Sequence, residues 1–192
     1  MPKRQRRWTN TSLVILDYYE LEVISGLAAF AQAELQEQFG DLVHCLPNKR
    51  PDRVRFQFDG PPGTLLQLQR SVAVHRVRHL NIPRPKTLLG HQYFEILVEL
   101  LQIPLNLHPR ESFQTFNVSA AGSESSVFAR IKSQIKKRTG LLLDEVAGDL
   151  AIAVRRPQRF SARTRRGPRG WEIVVRLSPR PLATRPWRIC DM

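Results

Sequence analysis

Eleven arginines and a single acid, Glu172, fall between residues 155 and 188, with no lysine among them. A guanidinium meets a phosphate with a planar fork of donors and also stacks on bases, so this bias points to RNA or DNA as the partner. Arg159, Arg163, Arg165, Arg166 and Arg169 sit among Gly and Pro in residues 157–170, where no periodicity supports a strand or helix. A segment of that kind can order on RNA and follow its backbone. Phe160 within it is placed either to stack on a base or to anchor the loop. A second basic set lies upstream. Val127, Phe128, Ile131 and Ile135 have helical spacing, and the opposite side of that helix carries Arg130, Lys132, Lys136, Lys137 and Arg138. Each phosphate neutralised by such cations adds salt-sensitive affinity. The candidate RNA-binding residues are therefore Lys132, Lys136, Lys137, Arg138, Arg155, Arg156, Arg163, Arg165, Arg166, Arg169, Arg185 and Arg188.

Catalytic chemistry is poorly provided for. The five histidines, His44, His75, His79, His91 and His108, are scattered. His75 and His79 have the i, i+4 spacing that suits a metal on a helix, but their stretch reads as a strand and lacks a third ligand. Asp144-Glu145 reads as a solvated loop, and Ser125 and Ser126 read as helix caps. The chain alone is expected to be non-catalytic and to hold no metal. Cys45 and Cys190 lie far apart and outside any CxxC pattern, which excludes a disulfide scaffold and a four-cysteine zinc site. They fit two free thiols in a reducing cytoplasm.

The whole chain has 192 residues, 42% hydrophobic and 24% charged, enough for one ordinary domain or two small ones. Its formal net charge is +13. Residues 1–112 hold 14 basic and 11 acidic residues, whereas residues 113–192 hold 16 and 6, so the surplus belongs mostly to the second half. No apolar run approaches the roughly 18–20 residues of a membrane helix. Leu13–Leu16 is too short for a signal-peptide core, and a membrane partner is not expected.

The elements follow from pattern and punctuation. Residues 1–15 read as a flexible basic arm with Lys3, Arg4, Arg6 and Arg7. Tyr18–Val23 alternates as a strand; Leu27–Phe39 is a helix stopped by Gly40. Leu42–Leu46 and Arg53–Phe58 form a hairpin around Pro47–Pro51. Thr64–Arg70 reads as a short helix and Ser71–Leu80 as a last strand. The order β-α-β-β-α-β over residues 16–82 is that of a ferredoxin-like unit. Residues 83–110 then form a helical linker packing on both units, its helix spanning Leu88–Leu101 and closed by Pro104 and Pro109. Residues 111–189 form a second α/β unit. It has strands at Phe116–Ala120, Asp149–Arg155 and Trp171–Leu177, a helix at Val127–Arg138 stopped by Gly140, and a proline-broken edge strand at Arg180–Trp187. Trp171 and Trp187 border strands and are read as core. The fold class is α+β.

The second unit resembles the THUMP domain. The resemblance rests on Phe116-Asn117-Val118-Ser119-Ala120, a capped helix ending Lys136-Lys137-Arg138-Thr139-Gly140, and Gly148–Val154. It also rests on a closing Leu177-Ser178-Pro179-Arg180-Pro181-Leu182 followed by Arg185-Pro186-Trp187-Arg188. In RNA guanine methyltransferases of that family a ferredoxin-like domain precedes THUMP, and here Tyr18–Val23 followed by Gly26-Leu27 fits its opening. The resemblance implies binding of structured RNA, tRNA at its acceptor end first and rRNA second. It also implies a catalytic domain, in cis or in trans, that uses S-adenosylmethionine to methylate guanine. No Gly-rich nucleotide fingerprint and no base-amine motif occurs before Met192, so that cofactor is expected elsewhere than in this chain. The turn Ala121-Gly122-Ser123-Glu124 also lacks the Lys or Arg common in the family, leaving backbone amides as its route to a phosphate. The alternative is a stand-alone basic adaptor that binds RNA or the ribosome.

Overall fold

Along the chain run β1 (Val14–Glu22), α1 (Ala28–Phe39), β2 (Val43–Leu46), β3 (Arg53–Phe58), β4 (Ala73–Leu80) and α2 (His91–Leu107). They are followed by β5 (Thr115–Ala120), α3 (Ser126–Thr139), β6 (Leu142–Leu143), β7 (Leu150–Arg155) and β8 (Trp171–Arg176). These come from a computed structural model that describes residues 14–157 and 169–184. The eight strands join in one sheet of order β2-β3-β1-β4-β8-β7-β5-β6, giving an α+β fold. In its first half every pairing is antiparallel; β5 pairs in parallel with β6 and β7.

Period-two alternation sets the two faces of the sheet. Tyr19, Leu21, Val54, Phe56 and Val74 point to one face and close around Ala31 and Leu35 of α1. Phe116, Val118, Ile152, Val154, Ile173 and Val175 point to the same face and close around α2 and α3. Between these two clusters the seam is polar. Asp17 holds Arg76 at 2.8 Å and Arg78 at 3.1 Å, and the Arg76 guanidinium lies 4.1 Å from the Tyr19 ring centroid. Ile103 of α2 reaches both clusters, and Leu177 and Leu182 return from the second half into the first core.

The two halves separated in the sequence reading are joined edge to edge. β4 pairs antiparallel with β8 from His75↔Arg176 to Leu80↔Trp171. Behind that seam, on the face away from the helices, Glu20 is fully buried. It accepts hydrogen bonds from Arg155 Nη1 at 3.0 Å, Arg155 Nη2 at 2.8 Å and Arg55 Nε at 3.1 Å. Arg155 Nε also donates to the buried Glu172 at 2.9 Å, and Tyr18 Oη donates to Glu172 at 2.8 Å. Burial alone would raise the Glu20 carboxyl; Arg155, Arg55 and Arg53 outweigh it and hold the group below the usual range. Burial and the neighbouring Glu172 push the Tyr18 phenol up.

His75 belongs to the same row as Arg55, Glu20 and Arg176. Burial, then Arg53, pushes its imidazole down from 6.5 to about 4, and its Nδ1 is shielded without a partner. The folded chain therefore keeps His75 neutral while the unfolded chain takes up a proton below pH 6.5. Stability attributable to this group is complete above pH 6.5 and falls as the pH drops towards 4. Unfolding free energy is expected to fall by roughly 2 kcal/mol between pH 7 and 5. His75→Gln should flatten that slope in urea titrations, and an unchanged slope would contradict the assignment.

Some elements differ from the sequence expectation. The expected helix at Thr64–Arg70 is a 3₁₀ segment, Pro62–Gln67. The buried Glu34 carboxylate takes the amides of Gln69 and Arg70, at 2.7 and 2.9 Å, which a continuing helix would have used. α2 begins at His91, after a 3₁₀ segment Pro85–Leu89, and runs through Pro104 to Leu107. Interior proline costs about 3 kcal/mol; here Pro104 is itself buried, with Ile103, Leu105 and Leu107 packed on the cores. Leu182–Thr184 forms a 3₁₀ turn and not the expected edge strand. Pro181 has no amide to give a ladder, and Leu182 and Ala183 both donate to Val72 O, at 2.7 and 3.3 Å. Residues 185–187 of that expected strand lie outside the described residues.

Candidate nucleic-acid interface

α3 buries Phe128, Ile131 and Ile135 against the sheet, as the spacing requires. Gly140 ends it at φ 77°, a left-handed position that glycine takes without a Cβ penalty, and its amide donates to Lys136 O at 2.9 Å. Lys136, Lys137 and Arg138 occupy the last turn, where the helix dipole favours cations. Arg130, Lys136, Lys137 and Arg138 are exposed. Arg138 Nη2 also pairs with Glu95 of α2 at 2.9 Å. Lys132 is different. It is 5% exposed, and its Nζ meets Glu145 at 2.6 Å. The helical side on which the sequence placed it continues under β6 and the Asp144–Gly148 loop, where Glu145 faces it.

The β7–β8 connection supplies the second basic group. Arg156 is exposed, with its guanidinium 4.3 Å from the Trp171 ring centroid and Nη1 donating to Gly170 O at 3.3 Å. Arg169 is also exposed, and its carbonyl lies 2.7 Å from His79 Nε2. Trp171 packs on the larger core, as its strand position implied. Arg155 points to the opposite environment, into the Glu20–Glu172 network. Arg163, Arg165, Arg166, Arg185 and Arg188, together with Phe160 and Trp187, lie outside the described residues.

A connecting surface was not recognised in the sequence. Trp171 Nε1 donates to Pro83 O at 3.4 Å, and the 3₁₀ segment Pro85–Leu89 packs against α3. Residues 83–91 therefore run from the base of the β7–β8 loop to α3, carrying exposed Arg84, Lys86 and His91. Their signal in the sequence is slight: Arg84 and Lys86 alternate with Pro83 and Pro85, which reads as a linker. The first turn of α2 has no acidic residue to oppose them. Exposed cations therefore lie on three elements that contact one another in series, and such cations suit phosphates.

Among the described residues no group of three or more His, Cys, Asp and Glu is placed to hold a metal. His75 and His79 lie on strand β4, as the alternation indicated. No described helix is long and apolar enough to cross a membrane.

The fold has a counterpart among solved structures. Over 88% of this chain, TrmN from Thermus thermophilus aligns with a TM-score of 0.54 at 20% identity. This chain shares the fold of about half of TrmN. The matched region is 48% of that protein's length, and at this identity the likeness is one of fold. A predicted N6-adenine-specific DNA methylase from Listeria monocytogenes aligns at a TM-score of 0.46 and 14% identity, covering 92% of this chain and 44% of that one. No protein-family model and no curated protein matches the sequence.

Proposed function

We propose that this chain is the RNA-binding module of an S-adenosylmethionine-dependent RNA guanine methyltransferase, with tRNA as its first target and rRNA as its second. The observation that carries this reading is the set of exposed cations on α3, on residues 83–91 and at the base of the β7–β8 loop, elements that contact one another in series. The fold shared with part of TrmN and the THUMP-like motifs of residues 116–188 support it. In this reading residues 16–82 are the ferredoxin-like unit, with spatial order β2-β3-β1-β4, and residues 111–189 are the THUMP domain. The chain itself recognises RNA by shape and phosphate and is not catalytic. A methyltransferase domain, in cis or in trans, holds the S-adenosylmethionine and performs the transfer. The connection between β5 and α3, Ala121–Ser125, contains one glycine and is not a Gly-rich nucleotide loop.

Fluorescence anisotropy tests the reading. Intact tRNA, tRNA lacking its single-stranded 3′ end, and duplex DNA are titrated with the chain across a salt series. Tight binding to intact tRNA, weaker binding after trimming and weak binding to DNA are expected. Equal binding to all three, abolished by moderate salt, would reduce the interaction to the +13 charge and overturn the reading.

A further inference from the structure

The start of α2 and the end of α3 line an open groove of about 480 Å³. That volume lies within the range of small-ligand sites. Its lining combines one aromatic ring, Phe94, with His91, Glu95, Gln134, Lys137 and Arg138. Glu95 is already neutralised by Arg138 at 2.9 Å, while Lys137 is exposed and pairs with no carboxylate among the described residues. Gln134 Oε1 is shielded from solvent and accepts no hydrogen bond. The residue is half-buried and lines the groove, so rotation of its side chain brings this unused acceptor to a ligand with an N–H donor. The groove thus offers a half-buried ring, an unused acceptor and a free cation within one space. A nucleotide presents the complementary set: a flat base with N–H donors on its edge and a phosphate.

We propose that the groove between α2 and α3 holds a single unpaired nucleotide of RNA, with its base on Phe94 and Gln134 and its phosphate on Lys137 and His91. The proposal rests on the reading that this surface binds RNA and adds where a base leaves the stack. Unpaired bases are commonly read by stacking on aromatic side chains, and each stacked base contributes sequence-tolerant affinity.

The test compares an RNA hairpin carrying a short 3′ overhang with the same hairpin made blunt, using the full chain. Phe94→Ala and Gln134→Leu leave the charge unchanged, so they separate base contact from phosphate attraction. Each is expected to weaken overhang binding by about tenfold. Blunt-hairpin affinity and the salt slope should stay as in the unaltered chain. Phe94 packs partly on the core, so thermal unfolding is followed in parallel; Gln134→Leu keeps the test valid if Phe94→Ala misfolds. Overhang and blunt affinities that fall together, or that do not change, would overturn the proposal while leaving RNA binding intact. AMP binding as tightly as the overhang RNA would assign the groove to a free nucleotide and overturn it as well. No RNA binding by the unaltered chain would overturn both this proposal and the functional reading.

Discussion

Glu20→Ala is expected to lower the unfolding free energy by about 3–5 kcal/mol, a large part of the 5–15 kcal/mol typical of a domain. The carboxylate is fully buried and is the shared acceptor for Arg55 and Arg155, with Arg53 Nε 3.9 Å away. Removing it takes a buried carboxylate partner from Arg55, itself 1% exposed, and from Arg155, which keeps only its bond to Glu172 within this network. A buried ion pair is a weak source of net stability when intact, but breaking one by deleting a partner is costly. Glu20→Gln keeps an acceptor oxygen and should lose less. Arg155→Ala should also be strongly destabilising, and its effect should not add to that of Glu20→Ala, because both act on one network. Urea unfolding measures this as a fall in midpoint at constant slope. A loss under about 1 kcal/mol would contradict the account of how β1 is tied to β7 and β8.

Arg130, Lys136 and Lys137 give the second large effect. Changing all three to Glu is expected to reduce tRNA affinity about a hundredfold or more near 0.1 M salt, and to lower the salt slope by about 2–3. All three side chains are exposed, so the stability cost should be confined to about 1–2 kcal/mol from placing acids in the last turn of α3. Lys132→Glu should behave in the opposite way, because it would bury an acid beside Glu145. It should lower stability far more than RNA affinity. Affinity unaffected by the triple change would move the RNA site off α3, most directly to the arginines of the β7–β8 connection.

The contrast between those variants shows where a linear reading succeeds. β3 falls at Arg53–Phe58 as alternation alone indicated, and Gly140 ends α3 where a glycine stop was expected. Both are local properties of a few consecutive residues. Lys132 and Arg155 are misplaced by the same logic, because a helical wheel or a run of arginines does not reveal a distant acid. Glu145 lies 13 positions from Lys132, and Glu20 lies 135 positions from Arg155. The β4–β8 pairing is likewise absent from any local pattern, since the outer edge of a strand carries no periodic mark. β6 is two residues long, too short to show a period. The contribution of Arg84, Lys86 and His91 appears only once Pro83 is set against Trp171 and the Pro85–Leu89 turn against α3.

In the proposed function these exposed cations act together as one RNA-binding surface. Cross-linking of 4-thiouridine-substituted tRNA to the full chain, with the attached peptides identified by mass spectrometry, tests it most directly. The expected cross-links fall in residues 84–94, 130–138 and 156–171. Cross-links confined to α1 and to the β2–β3 hairpin, with none in those three segments, would contradict it.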